Sequence, residues 1–135
     1  MNISAEKAIE YINSNQRIFI QGAAMTPKVL VEAMCKDYKR LSNVEIVHLH
    51  TEGEALYSQD PYRSSFQINS FFVGGNVRNC INQGFGGYIP IFLSEVHLLF
   101  KRNKLPIDVA LIQVSPPDKH GYCSLGSSVD VTLAA

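Results

Sequence analysis

The run Asp108-Val-Ala-Leu-Ile-Gln-Val-Ser-Pro-Pro-Asp-Lys-His-Gly-Tyr-Cys-Ser-Leu125 decides how the rest of the chain is read. Its first half, Val109 to Val114, is short and nearly all apolar. Such a run predicts a strand buried on both faces, as in a parallel sheet covered by helices. Ser115 opens a polar turn, and Pro116 and Pro117 have no N–H to give a ladder, so the strand stops there. Asp118-Lys119-His120-Gly121 makes a tight corner, and Tyr122 to Leu125 begins a new extended piece. Polar groups therefore gather at the carboxyl end of a buried strand, where open α/β sheets bind their ligands.

Working outward from this run, strand and helix patterns alternate. Ser4 is placed to cap a helix with Ala5, Ala8, Ile9 and Ile12 at helical spacing. Arg17 to Gln21 reads as a strand, and Thr26 as the cap of a helix with Pro27 at its first position. Leu30, Ala33, Met34, Tyr38 and Leu41 give that helix an apolar stripe. Val44 to Leu49 is a strand, followed by a polar stretch to about Ser65. Phe66 to Val73 contains the next strand, and a helix follows with Val77, Cys80 and Ile81 inward and Gly84 as its terminator. Tyr88 to Leu93 reads as a short strand and Ser94 as the cap of a helix carrying Val96, Leu99 and Phe100. This alternation predicts an α/β fold with a mostly parallel sheet flanked by helices.

Composition narrows the function. The chain has 135 residues, of which 46% are hydrophobic, enough for one core and too many for a disordered tail. Twelve basic residues balance twelve acidic ones. That removes the electrostatic footprint of a nucleic-acid binder. No apolar run approaches membrane-spanning length, and no charged start leads into an apolar signal segment. Cys35, Cys80 and Cys123 are odd in number and widely spaced, which suits reduced thiols in a cytoplasmic protein and not a disulfide framework or zinc knuckle.

Four strand ends carry small or polar residues: Gly22-Ala23-Ala24, His50-Thr51-Glu52-Gly53, Gly74-Gly75-Asn76, and Ser115 to Gly121. Parallel strands would put all four turns on one edge. Backbone N–H groups there can approach a carbonyl, carboxylate or phosphate closely.

Residues 114–126, Val-Ser-Pro-Pro-Asp-Lys-His-Gly-Tyr-Cys-Ser-Leu-Gly, resemble the signature of the acetyl-CoA hydrolase/transferase family, and within it the 4-hydroxybutyrate CoA-transferases. Asn43 to Gly53, Asn69 to Arg78 and Tyr88 to Glu95 resemble the same family in the same order. Two departures are Phe85-Gly86-Gly87, where relatives carry an Arg-Ala-Asp-like stretch, and His97, where a proline is usual. The resemblance implies the NagB/RpiA/CoA-transferase-like fold and an enzyme that moves CoA between acetyl-CoA or another acyl-CoA and a short-chain carboxylate such as acetate, butyrate or 4-hydroxybutyrate. A glutamate carboxylate attacks the acyl-CoA in such enzymes, by nucleophilic covalent catalysis. That glutamate lies in the second of two similar halves. Residues 1–135 are accordingly expected to be the N-terminal portion of a first domain, an incomplete first half without the nucleophile.

The same resemblance implies no permanently bound cofactor, with CoA or acyl-CoA as substrate. The expected partners are the missing C-terminal half and further copies of the protein, with no nucleic acid or membrane. An acyl-CoA hydrolase, and a binding or assembly module that kept the fold without the chemistry, are the competing readings.

Gly22 with the N–H groups of Ala23 and Ala24 either forms an oxyanion hole for the thioester oxygen or merely ends a strand. Asn69 and Asn76 flank Gly74 and Gly75, and either orient an acid substrate or, for Asn76, cap the helix. His120 either hydrogen-bonds a substrate carboxylate or helps Asp118 fasten the corner. Glu52 stands at a strand end, but the resemblance assigns the nucleophile elsewhere. His48 and His50 share a strand face by their spacing and lack a third ligand for a metal site.

Overall fold

The computed structural model describes residues 3–135. Five strands form one sheet: β1 (Arg17–Ile20), β2 (Val44–His48), β3 (Phe66–Ser70), β4 (Gly86–Tyr88) and β5 (Val109–Leu111). Their order is β4-β3-β2-β1-β5, and every pairing is parallel. Among the described residues four α-helices, with three short 3-10 turns, complete the fold: α1 (Ala5–Ile9), α2 (Lys28–Lys36), α3 (Gly75–Asn82) and α4 (Leu93–Lys101).

Period-two alternation sorts the strand residues between two cores. Ile18, Ile20, Val44, Ile46 and Ile68 pack with Ile9 of α1, Ile12 just after it, Met34 of α2 and Val77 of α3. On the opposite face Phe19, Val47, Leu49 and Phe71 pack with Val96 and Phe100 of α4 and with Val131. Phe100 meets the edges of Phe19 and Phe71 with ring centroids 5.7 and 6.0 Å away, a favourable aromatic geometry.

Local signals place the helix ends. Ser4 Oγ accepts from the Lys7 N–H at 3.2 Å, closing the first turn of α1. Beyond α3, Gly84 has φ +83°, its N–H donates to Ile81 O, and the Phe85 N–H donates to Cys80 O at 3.0 Å. That is the paired helix stop a left-handed glycine permits.

Five expectations need correction. Val109 to Val114 is not buried on both faces: only Val109 to Leu111 pairs, at the sheet edge, and Ala110 is exposed. The run is apolar, yet among the described residues no further strand covers its outer side. The fourth strand is Gly86–Tyr88, earlier than Tyr88 to Leu93. Pro90 cannot donate to a ladder, and α4 already begins at Leu93 without a side-chain cap from Ser94. Thr26 does not cap α2; its hydroxyl donates to Ala23 O at 2.8 Å and accepts from the Glu52 N–H at 3.0 Å, tying two strand ends together. Asn76 caps nothing, because it lies inside α3, where Gly74 is the N-cap.

Among the described residues, no helix is long and apolar enough to cross a membrane, and no group of three His, Cys, Asp or Glu could hold a metal ion.

Candidate active site

The four turns named from the sequence follow β1, β2, β3 and β5, so parallel pairing sets them on one edge. The β1 and β2 turns touch through backbone. A Cβ on Gly22 would stand 2.5 Å from His50 O, closer than real contacts allow, so only glycine fits. The Ala23 N–H donates to that same His50 oxygen at 3.0 Å, and Ala23 and Thr51 form an isolated parallel bridge. The Ala23 N–H is therefore occupied and cannot serve as an oxyanion donor. Ala24 is exposed beyond it.

The β3 turn closes from the other side. A Cβ on Gly74 would lie 3.7 Å from His50 Cβ. Gly74 and Gly75 open α3 with no side chain capping its first N–H groups. Asn76 locks this arrangement: its Nδ2 donates to Thr51 O at 2.9 Å and to Gly53 O at 3.1 Å. The structure thus brings Gly22, Ala23, Gly74 and Asn76 around the His50–Gly53 turn, while Gly75 stays exposed at the helix start.

Two predicted residues stand apart. Asn69 Nδ2 donates to Glu45 Oε1 at 2.7 Å, and Glu45 Oε2 accepts from Arg17 Nε at 2.7 Å. This ladder crosses three strands on the face that carries α4. Beside it, a Cβ on Gly87 would overlap Asn69 Oδ1, so the amide takes the space a larger residue at 87 would need. His120 lies at the exposed tip of a hairpin. Asp118 Oδ1 accepts from the N–H groups of His120 and Tyr122 at 2.8 and 3.0 Å, and the Gly121 N–H donates to Asp118 O at 3.0 Å. Asp118 fastens the corner, and the His120 ring makes no hydrogen bond among the described residues.

Sequence reasoning missed Gln21. Gln21 is fully buried; its Nε2 donates to Leu125 O and Ser128 O at 3.2 and 3.0 Å, and its Oε1 accepts from the Gln113 N–H at 2.8 Å. One amide therefore anchors both legs of the hairpin to the end of β1. A polar residue closing an apolar strand was the available signal. Asp130 was missed as well, as was the place of His50 beside it. They share a half-open cavity of about 490 Å³ with Leu49, Phe71, Phe72, Tyr88, Ile91, Leu93 and Val96. A smaller cavity of about 240 Å³ lies between the β2 turn and α2, where Lys28, Glu32, Glu52 and Glu54 supply charge.

The two histidines have different environments despite their spacing. His50 is half-buried at the edge, with its ring 5.9 Å from that of Phe72. His48 is wholly buried, its Nδ1 3.3 Å from Leu49 O and its Nε2 without a partner. Burial pulls the His48 pKa down to about 4, more than the contact with Leu49 O raises it. It is a neutral core imidazole.

Residues 2–135 match the acetyl-CoA hydrolase/transferase N-terminal domain family. Over 134 residues, 98% of this chain, it is 42% identical to a succinyl-CoA:acetate/propanoyl-CoA:succinate CoA transferase of Fasciola hepatica, and covers 28% of that protein. It is 43% identical over 133 residues to a 4-hydroxybutyrate coenzyme A transferase of Clostridium kluyveri, covering 98% of this chain and 31% of the other. The chain thus spans less than a third of the curated relatives it matches. Among solved structures, a 4-hydroxybutyrate CoA-transferase of Porphyromonas gingivalis superposes with TM-score 0.77 at 27% identity, over 98% of this chain and 29% of that one. RipA of Yersinia pestis shares the fold, with TM-score 0.83 at 23% identity over 92% of this chain and 31% of that one.

Proposed function

The chain belongs to the acetyl-CoA hydrolase/transferase family through its N-terminal domain, and from that premise we propose that it is the N-terminal part of a CoA-transferase. The protein would move CoA between acetyl-CoA or another acyl-CoA and a short-chain carboxylate such as acetate, butyrate or 4-hydroxybutyrate. The supporting observation is near-complete coverage of this chain by two CoA-transferases at 42 and 43% identity.

In this reading the nucleophilic glutamate is supplied from outside residues 1–135. The carboxyl edge of the sheet presents the acyl group to it. His50 and the uncapped start of α3 face the reacting end, while the Gly22–His50 and Asn76 ties hold the edge still. Holding reacting groups in place supplies much of the rate in such reactions. His120, on the anchored hairpin, reaches toward substrate or the completing domain, that domain docks on part of the exposed apolar surface, and further copies of the protein assemble with the whole.

The test is a CoA-transfer assay on the full-length protein with acetyl-CoA and butyrate. Butyryl-CoA formed without free thiol supports a transferase. Thiol release with no butyryl-CoA makes the protein a hydrolase. Purified residues 1–135 should give no turnover above the buffer blank. Turnover by that piece, abolished by Glu52→Gln, would place the nucleophile in this chain and overturn the reading.

A further inference from the structure

The cavity beside His50 is built unlike the other turn surfaces. Its floor is Leu49, Phe71 and Val96, all buried members of the α4-side core. Its rim includes Phe72 and Leu93, large apolar side chains left 61 and 65% exposed. Its polar groups are few: the half-buried His50, the exposed Asp130 carboxylate and the Tyr88 hydroxyl. None of these three side chains has a hydrogen-bond partner among the described residues. Apolar walls with a few unpartnered polar groups at one end, enclosing several hundred cubic ångströms, match the general build of small-ligand sites.

We infer that this cavity is the acyl-tail subsite and that it sets chain-length preference. The inference rests on the proposed transferase activity and deepens it. Short-chain acids share a carboxyl carbon and differ only in the tail. The reacting carbonyl would stay at the mouth, between His50 and the Gly74–Gly75 start of α3. The methylenes would lie along Leu93 and Phe72 toward Val96. Asp130 is exposed, so it belongs to the mouth, where its charge would meet solvent and not the apolar floor. Each methylene taken from water into such walls favours binding roughly fourfold. A four-carbon acid should therefore be preferred to a two-carbon one, through KM more than through kcat.

The experiment uses the full-length protein and the ratio of kcat/KM for butyrate over acetate. Val96→Phe fills the floor and should lower the ratio about tenfold. Leu93→Ser removes one rim wall at an exposed position where folding is not at stake, and should lower it about threefold. Circular dichroism confirms that each variant is folded; if Val96→Phe does not fold, Leu93→Ser decides. Folded variants that transfer CoA at an unchanged ratio overturn the subsite while leaving the transferase reading intact. If the wild-type protein transfers no CoA, the reading of activity falls and the cavity is tested directly with 13C-methyl butyrate. Nuclear Overhauser contacts from that methyl to Val96 and Phe71 support a tail subsite, and their absence at saturating butyrate overturns it.

Discussion

The two ends of the sheet treat charge in opposite ways. At the amino end Arg17 bonds Glu45 through Nε and Pro106 O through Nη1, Glu45 holds Asn69, and Asp108 accepts from the Arg17 N–H at 2.7 Å. Nearby, Arg40 donates to the carbonyls of Ile9 and Ile12. These five side chains are paired within the chain and hold strands and helix ends in register. At the carboxyl end the backbone is just as tightly tied, through Gly22, Ala23 and Asn76, but the side chains of His50, Glu52, His120 and Asp130 have no hydrogen-bond partner among the described residues. At the amino end the half-buried polar groups carry strand register, with exposed lysines and Arg102 left to solvent. At the carboxyl end the unbonded groups stand beside the rigid turns that the proposed function uses. Paired polar groups signal architecture, and unpaired ones beside a rigid backbone signal a site.

The largest test of this contrast is Gly22→Val. Its side chain must displace the His50 carbonyl, which the Ala23 N–H already holds. The expected loss is about 3 kcal/mol or more in urea unfolding. A loss under about 1 kcal/mol would mean that the two turns separate easily and that the open end is not rigid.

Acid should act next most strongly, through His48. Its folded pKa of about 4 lies below the unfolded value near 6.5. The unfolded chain therefore binds the proton first. Stability is full above about pH 6.5 and falls as the pH drops toward 4, by about 3 kcal/mol at most. Stability measured against pH in wild type and His48→Gln should show that slope flattened in the variant. An unchanged slope would remove His48 from the group of residues the fold depends on.

At the amino end, Glu45→Ala strands Arg17 and Asn69 in a half-buried setting, and should cost about 2 kcal/mol in the same unfolding assay. Full-length turnover should change no more than that loss of folded protein explains. A specific fall in kcat would show that the ladder reaches the site.

The smallest effect on stability belongs to His120→Ala. The ring is exposed and unbonded, so unfolding should shift by less than about 0.5 kcal/mol. Turnover of the full-length protein should nonetheless fall by more than tenfold. A stability loss with normal turnover would move His120 to the architectural side of the comparison.

What could be read in advance follows the same division. The α/β alternation was legible because Ile18-Phe19-Ile20 and Val44 to Leu49 are apolar runs bounded by helix caps such as Ser4 and stops such as Gly84. The fate of Val109 to Val114 was not, because an apolar run does not say whether a neighbouring strand covers it. The turns were legible from Gly22, Gly74 and Gly75. What each turn touches was not, since the Gly22–His50 approach and the Asn76 ties join residues 23 to 28 positions apart. Asn69 and Asn76 look alike in sequence, and only packing separates a strand ladder from a turn lock. Asp130 enters the cavity because Gln21 pins the hairpin that precedes it, a contact between residues more than 90 positions apart.

The three thiols differ enough to be told apart by a reagent. Burial pushes the Cys35 thiol up to about 12 and raises that of Cys80 as well, so neither offers much thiolate at neutral pH. Cys123 stands exposed on a leg of the hairpin that Gln21 anchors. Within residues 1–135, a maleimide dye or nitroxide should therefore attach at that position alone, without any engineered cysteine. Its signal would report whatever comes to rest over the carboxyl edge, turning the hairpin into a built-in gauge of docking.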